Sequence, residues 1–446
     1  MQHPDPSREN ACPHADVCGG CAYQDIPYEE SKALKESQVK RLLAPSFAYQ
    51  DAPVIWDDIR TGPSPYAYRN KMEFTFGDAK KDGPLELGLH RKGRFHDIVS
   101  VTECRIVDAD FRQVLTAVCS FFRPFYERHE ISYYHRKRNT GYLRHLLVRK
   151  AAHTGEMLVC LVTSPAYDAA AVTPEQMLLA AFRDMLLALD LPDGGTIRGI
   201  LHTKNDAVSD VIRDDGTDVL YGTPYFEETL LGLKFTITPF SFFQTNSAAA
   251  EVLYETVRGY IREALGEEKR EKTGTVFDLY CGTGTIAQLM SHAAGHVVGV
   301  ELNEEAVFAA RQNAVKNNIM NCSFVCGDVL KVIGTLVEKP DLIILDPPRA
   351  GVHPRALPPL CAFGADHIVY ISCKPESLAR DMPFFLTHGY EARRACCIEQ
   401  FPFTKHIETV CLLSNTHSKK KESYITLDVE MADYYRIKNE GKNSTT

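Results

Sequence analysis

Polar residues that could do chemistry recur in this chain directly after short apolar runs. Thr275-Val-Phe is followed by Asp278-Leu-Tyr-Cys-Gly-Thr-Gly-Thr285. Glu301 follows Val297–Val300, Asp328 comes after Gly327, Asp346-Pro-Pro-Arg-Ala-Gly351 follows Leu342–Leu345, and Ser372-Cys373-Lys374 follows Ile368–Ile371. If the runs are parallel strands, all five groups reach one sheet edge, the carboxyl end, where such sheets bind ligands. Gly282 and Gly284 permit a tight turn and close backbone approach. Glu301 lies at nearly the interval of an acid that holds ribose hydroxyls. The loop Gly282-Thr-Gly-Thr-Ile-Ala lacks the full dinucleotide fingerprint, so a nucleoside cofactor without a pyrophosphate fits better than NAD.

A second chemical cluster lies at the other end of the chain. Of 14 cysteines, Cys12, Cys18 and Cys21 fall within ten residues. A reducing compartment disfavours disulfides, so such clusters more often mean metal or catalysis. Three thiolates need a fourth ligand, and spacing alone leaves zinc and a [4Fe–4S] cluster about equally suited. Elsewhere, Cys281 and Cys361 read as packing residues, and the adjacent Cys396 and Cys397 must point to opposite faces of a strand.

The formal net charge of −8 opposes a nucleic-acid partner. Its distribution does not. Between Ile131 and Gly155 no acidic residue occurs, while Arg136, Lys137, Arg138, Arg144, Arg149 and Lys150 alternate with Tyr133, Tyr134, His135, Tyr142 and His145. Cations can serve phosphates and aromatics can stack on unpaired bases. Arg69, Lys71, Arg91, Lys92 and Arg94 form a second basic stretch.

The elements that must position these groups divide the chain into four parts. Residues 1–60 hold the cysteines and a helix from Tyr28 to Leu43 that should stop before Pro45. Residues 61–235 read as a mixed α+β domain, with helices near 110–128 and 174–190. Residues 236–414 alternate strand and helix, the pattern of an α/β fold whose parallel sheet is covered on both faces. Residues 415–446 form a polar tail in which Ile425, Leu427, Val429 and Met431 alternate like one strand. Neither a signal peptide nor a membrane-spanning apolar run is evident, so a cytoplasmic protein is expected, and a monomer.

Five motifs carry a resemblance. Phe242-Phe-Gln-Thr-Asn246, Asp278-Leu-Tyr-Cys-Gly-Thr-Gly, Asp346-Pro-Pro-Arg-Ala-Gly, Tyr370-Ile-Ser-Cys-Lys-Pro and His406-Ile-Glu408 resemble the RNA uracil-C5 methyltransferase family. The likeness extends from about Cys12 to Leu413 and is greatest to its iron–sulfur branch, typified by 23S ribosomal RNA uridine methyltransferases. It implies a class I, Rossmann-like methyltransferase domain that binds S-adenosylmethionine through Gln244, Tyr280, Thr285, Glu301, Asp328 and Asp346. It implies a [4Fe–4S] cluster on Cys12, Cys18, Cys21 and Cys104, with Cys119 a weaker fourth ligand, and it places Phe242 against a flipped uracil. It also implies a small RNA-binding β-barrel ahead of the cysteines, for which this chain has no room before Cys12. Arg136, Arg138 and Arg144 are expected to contact the RNA.

Uracil C5 is a poor nucleophile. A thiolate adding to C6 turns C5 into an enolate carbon, which can take a methyl group. A base must then remove the C5 proton before the thiolate leaves. The resemblance makes Cys373 the nucleophile and Glu408 the base, and Arg349 or Lys374 could stabilise the enolate oxygen. The cysteine cluster favours ribosomal RNA over the thymine loop of transfer RNA. Cytosine-C5 enzymes usually carry Pro-Cys where this chain has Pro348-Arg349, and amino-group enzymes need no cysteine nucleophile. A non-enzymatic iron–sulfur RNA-binding protein would need neither Cys373 nor Glu408.

Overall fold

The computed structural model describes residues 12–167, 172–209, 211–265, 274–336 and 338–417. The strand expected near Ile425–Met431 lies outside the described residues.

The chain enters through a helix, Tyr28–Phe47 (α1), and two very short strands, Ile55–Trp56 (β1) and Arg60–Thr61 (β2). The helix runs past Pro45, which was expected to end it. The carbonyl deprived of a partner there belongs to Arg41, an exposed residue that water can serve.

A seven-stranded sheet follows, built from Lys71–Asp78 (β3), Leu85–Arg91 (β4), Arg94–Ser100 (β5), Leu143–Lys150 (β6), Glu156–Thr163 (β7), Thr196–Lys204 (β8) and Thr217–Gly222 (β9), in the order β5-β4-β3-β6-β7-β8-β9. Only β7 and β8 pair in parallel. The intervening helices, Ala109–Glu127 (α2) and Glu175–Leu187 (α3), cover one face. Asp108 caps α2 by accepting from the Phe111 N–H at 3.2 Å. Phe111, Val114, Leu115, Val118 and Phe122 recur at helical spacing and pack on Phe74, Phe76, Leu146 and Val148. A hairpin, Phe226–Leu230 (β10) and Leu233–Ile237 (β11), turns through Leu231 and Gly232, both at positive φ, and leads into the last domain.

That domain is a helix, Ser247–Leu265 (α4), followed by Thr275–Leu279 (β12), Thr285–Met290 (α5), His296–Glu301 (β13), Glu304–Lys316 (α6), Cys322–Cys326 (β14), Val329–Val332 (α7), Leu342–Leu345 (β15), Leu357–Ala362 (α8), His367–Ser372 (β16), Pro375–Thr387 (α9), Tyr390–Glu399 (β17) and Glu408–Asn415 (β18). The sheet order is β17-β18-β16-β15-β12-β13-β14, with β18 antiparallel to both neighbours. Its strands are nearly continuous apolar runs because both faces are covered. In β16, Val369 and Ile371 join the core beneath α4, α5 and α6, while Ile368 and Tyr370 join the core beneath α8 and α9.

Residues 28–61 pack on this C-terminal sheet. Val39 and Leu43 of α1 enter the α8–α9 core, and β1 and β2 pair with β17. Lys35 reaches Glu399 at 2.7 Å with both side chains almost fully buried. Among the described residues, no helix is long and apolar enough to cross a membrane.

Candidate active site

Chain order reverses between β12 and β15, and a large cleft opens beyond their carboxyl ends. Its first wall is the glycine loop. Tyr280 and Cys281 both donate their backbone N–H to the Val300 carbonyl, at 2.9 and 3.0 Å, and Gly284 donates to Cys281 at 2.9 Å. The turn needs left-handed backbone at Tyr280 (φ 69°), Gly282 (φ 53°) and Gly284 (φ 73°). A Cβ at Gly284 would stand 2.6 Å from the Phe324 ring, whereas one at Gly282 would meet nothing within 4 Å. Gly284 therefore serves packing, and Gly282 leaves space open. Glu301 accepts from the Gly282 N–H at 3.0 Å and from the Asn303 N–H at 2.9 Å, which fixes its carboxylate at the cleft.

Asp328 caps α7 by accepting from Leu330 at 2.9 Å. Thr285 opens α5 and is buried. Asp346 follows β15, where burial pushes its carboxyl up to about 7. The opposite wall is the 238–246 segment, and the central domain holds it. Arg149 donates to the carbonyls of Thr238, Pro239 and Ser241, and Asn70 donates to Gln244 and to Ser247 Oγ. On this segment Phe242 is 70% exposed and lines the cleft.

The chemical end of the cleft is set by strand register. Ser372 pairs with Thr409 in the antiparallel β16–β18 ladder, so Cys373 and Glu408 are the next facing positions. Glu408 is 4% exposed. Burial, then the neighbouring Asp346, pushes it up to about 8, against the pull of Arg349. Burial likewise raises the Cys373 thiol, Glu408 and Asp346 adding to the effect and Arg349 opposing it. Arg349 stands on the cleft beside His406, at 3.2 Å, whereas Lys374 is exposed and caps α9 outside the cleft lining. Of the two cations considered for the enolate, only Arg349 is in place.

Phe242, Gln244, Tyr280, Thr285, Glu301, Asp328, Asp346, Cys373 and Glu408, all named from sequence, line this one cleft of about 1860 Å³. Sequence reading missed Tyr254 of α4, buried in the wall and facing Asp346, Glu408 and Gln244. No motif marks it, because its position depends on how α4 packs beneath β16 and β18. The competing cysteines are structural: Cys396 and Cys397 enter the two cores on opposite faces of the sheet, and Cys281 is buried with Cys396.

Arg144, expected at the RNA surface, is only 2% exposed and donates to the carbonyls of Asn205, Ala207 and Ser209, so most of its hydrogen-bonding capacity is spent within the chain. Strand β6 lies mid-sheet and all eight of its residues are buried, Arg149 and Lys150 included. Arg138 is exposed and Arg136 half-buried, on the turn before β6.

Residues 270–421 match the model of a methyltransferase domain. An uncharacterized RNA methyltransferase of Clostridium tetani is 46% identical over 405 residues, 90% of this chain and 83% of the relative. The chain belongs to the RNA methyltransferases. Another such relative, from Caldanaerobacter subterraneus, is 42% identical over 92% of the chain and 85% of its own length. Among solved structures, the tRNA (uracil-54, C5)-methyltransferase of Pyrococcus abyssi, in complex with S-adenosyl-L-homocysteine, superposes with a TM-score of 0.66 at 27% identity, over 89% of this chain and 86% of that one. The α/β domain from α4 to β18 is thus a Rossmann-like methyltransferase domain.

The four N-terminal-region cysteines of interest, Cys12, Cys18, Cys21 and Cys104, line a small cavity with Tyr66, Leu89 and Phe403. Among the described residues, no three His, Cys, Asp or Glu side chains stand close enough to hold a metal ion as they are. Cys119 lies elsewhere, donating to the Leu85 carbonyl at 3.6 Å.

Proposed function

We propose that this methyltransferase transfers a methyl group from S-adenosylmethionine to C5 of a uridine in RNA, with Cys373 as nucleophile and Glu408 as base. The observation that carries it is the β16–β18 register, which sets a thiol beside a buried carboxylate in the cleft that the glycine loop also lines. Glu301 is fixed where ribose hydroxyls would be held, Gly282 leaves room for the cofactor, and Gln244, Tyr280, Thr285, Asp328 and Asp346 complete its surroundings. The methyl donor supplies a methyl cation equivalent. Phe242 offers its exposed ring to the extracted uracil, replacing part of the stacking given up when the base leaves the RNA. Cys373 sulfur bonds to C6, and the electron pair moves to C5 and the C4 carbonyl, where Arg349 can balance the charge. C5 takes the methyl group, Glu408 accepts the C5 proton, and the C6–S bond breaks to restore the ring and the thiolate.

For the substrate we infer 23S ribosomal RNA, because the likeness to the iron–sulfur branch rests on Cys12, Cys18, Cys21 and Cys104, which line one small cavity. Such a thiol set would suit a [4Fe–4S] cluster, whose ligands stand wider apart than those of a single ion. Burial, then Cys104, Cys18 and Cys12, pushes Cys21 up to about 12, so thiolates gathered here need a cationic partner. Such a cluster would pin the N-terminal segment to the central domain through Cys104. The Pyrococcus neighbour favours the second reading, a transfer RNA uridine.

The test is covalent trapping. RNA made with 5-fluorouridine carries a C5 fluorine that cannot leave as a proton, so the methylated adduct should stay attached. A denaturation-resistant protein–RNA band with wild type, absent in Cys373→Ala, is expected; no band from enzyme that methylates natural RNA would overturn the mechanism. Ribosomal and transfer RNA transcripts compared in parallel name the substrate.

A further inference from the structure

We propose that the pocket formed by the 134–140 turn against β3–β6 is a second RNA subsite, taking the phosphate and sugar of an unpaired nucleotide away from the target uridine. This rests on the RNA substrate proposed above.

Position is the first argument. Along β6, Leu146 and Val148 face the helices, while His145, Leu147 and Arg149 face the other way. On that helix-free face Arg149 grips the segment that presents Phe242, and His145 lines the pocket. Four residue steps along the strand separate them, about 13 Å at ~3.3 Å each. The pocket and the Phe242 segment therefore lie on the same face of the central sheet, with Ile212 and Phe240 covering Leu147 between them, a separation that neighbouring nucleotides of one RNA strand can span.

The pocket is also built rather than incidental. Tyr134 N–H donates to Leu143 and His135 N–H to Thr140, both at 2.7 Å. Gly141 (φ 110°) closes the turn where a Cβ would stand 2.0 Å from the Tyr133 carbonyl. The Tyr134 ring lies 4.1 Å from the Arg144 guanidinium, itself fixed by three carbonyls. The largely buried Arg144 thus forms the floor of the site.

Charge is the third argument. Arg136, Lys137, Arg144 and Lys81 line about 250 Å³ together with Asp78 and Asp97. Asp78 is engaged by the Tyr133 hydroxyl at 2.9 Å, and Asp97 by Arg91 and Arg94 at 3.7 and 3.5 Å. The lining thus carries four cations against two carboxylates, with Lys81 beside Asp82 at 4.0 Å, in a chain of formal charge −8. Arg136 is held below its ordinary value by burial and then by the Arg144 charge, a repulsion that a bound phosphate would relieve.

The test uses full-length enzyme and the transcript that gives the trapped adduct. Arg136→Ala/Lys137→Ala should raise KM for RNA about tenfold, leave kcat unchanged, and flatten the salt dependence of RNA binding by about 0.7 in log–log slope for each phosphate no longer neutralised. The conservative pair Arg136→Lys/Lys137→Arg should restore the slope. Arg183→Ala, a half-buried cation on the opposite, helical side, should change neither. Should the double variant fold poorly, Lys137→Glu at the exposed rim gives the same reading. An unchanged KM and salt slope, or an equal effect in Arg183→Ala, overturns the subsite. Absence of any adduct with wild type instead removes the uridine-C5 reading, so the two failures are distinct.

Discussion

Tyr23 donates its backbone N–H to the carbonyl of Phe403 at 2.8 Å, which ties the N-terminal cysteine segment to the loop between β17 and β18. Phe403 sits at φ 63°, backbone that an L-residue holds only when its surroundings over-determine it. Those surroundings are the Tyr66 ring, stacked at 5.4 Å, the Tyr28 ring at 5.6 Å, and the cysteine cavity that Phe403 itself lines. Two residues earlier in the loop, Phe401 lines the catalytic cleft, and five residues later comes Glu408. Lys35 and the reciprocal Asn246–Gln400 bonds hold the same loop from the other side.

The cysteine cavity and the cleft therefore share one loop. Cys21→Ser should lower the melting temperature and the yield of trapped RNA adduct together, although Cys21 is remote in sequence from Cys373. Thermal melts and adduct yield, read beside iron content, check this. A variant that lost iron but kept both properties would show the loop to be independent of the cavity.

Cys373 and Glu408 should fail in different ways. Cys373→Ala removes the bond to C6, so no adduct forms with any RNA. Glu408→Gln leaves bond formation and methyl transfer possible but removes the base, a loss of roughly 10²–10⁴-fold in turnover. Natural uridine RNA, without fluorine, should then accumulate on Glu408→Gln as a denaturation-resistant adduct. Gel analysis of the two variants decides it, and an adduct-free Glu408→Gln would move the base elsewhere.

What could be read from the sequence, and what could not, follows from where the controlling interactions lie. Tyr280, Asp346 and Cys373 follow β12, β15 and β16 at once and Glu301 ends β13, so the apolar run locates each of them and strand direction carries it to one edge. Arg144 misled because charge patterning treats an arginine as a surface group. Its burial depends on three carbonyls more than sixty residues away in sequence. The packing of α1 on α9 and the place of Tyr254 depend in the same way on tertiary partners that leave no local pattern.

Arg144→Ala should accordingly act on stability. Removing the guanidinium leaves the buried Asn205 carbonyl without its Arg144 donor, at a cost of about 1–3 kcal/mol, while the half-buried Ala207 and exposed Ser209 carbonyls can turn to water. Arg138→Ala, on the exposed turn, should change stability by less than about 0.5 kcal/mol. Denaturant titration of both variants checks the contrast.

Glu408 gives the chain a distinctive pH dependence. Its folded-state value, about 8, lies above the ordinary 4.5, so between these limits the folded state holds a proton that the unfolded state has released. Stability from this group is fully present below about 4.5 and is lost as pH rises toward 8. Glutamine cannot ionise, so the Tm advantage of Glu408→Gln over wild type should grow from pH 5 to pH 8. Activity runs the opposite way, because the base must be ionised: kcat of the wild type should climb with pH through about 8. Parallel Tm and kcat profiles test both signs, and a Tm difference that stayed flat across this range would mean that Glu408 is already ionised in the folded enzyme.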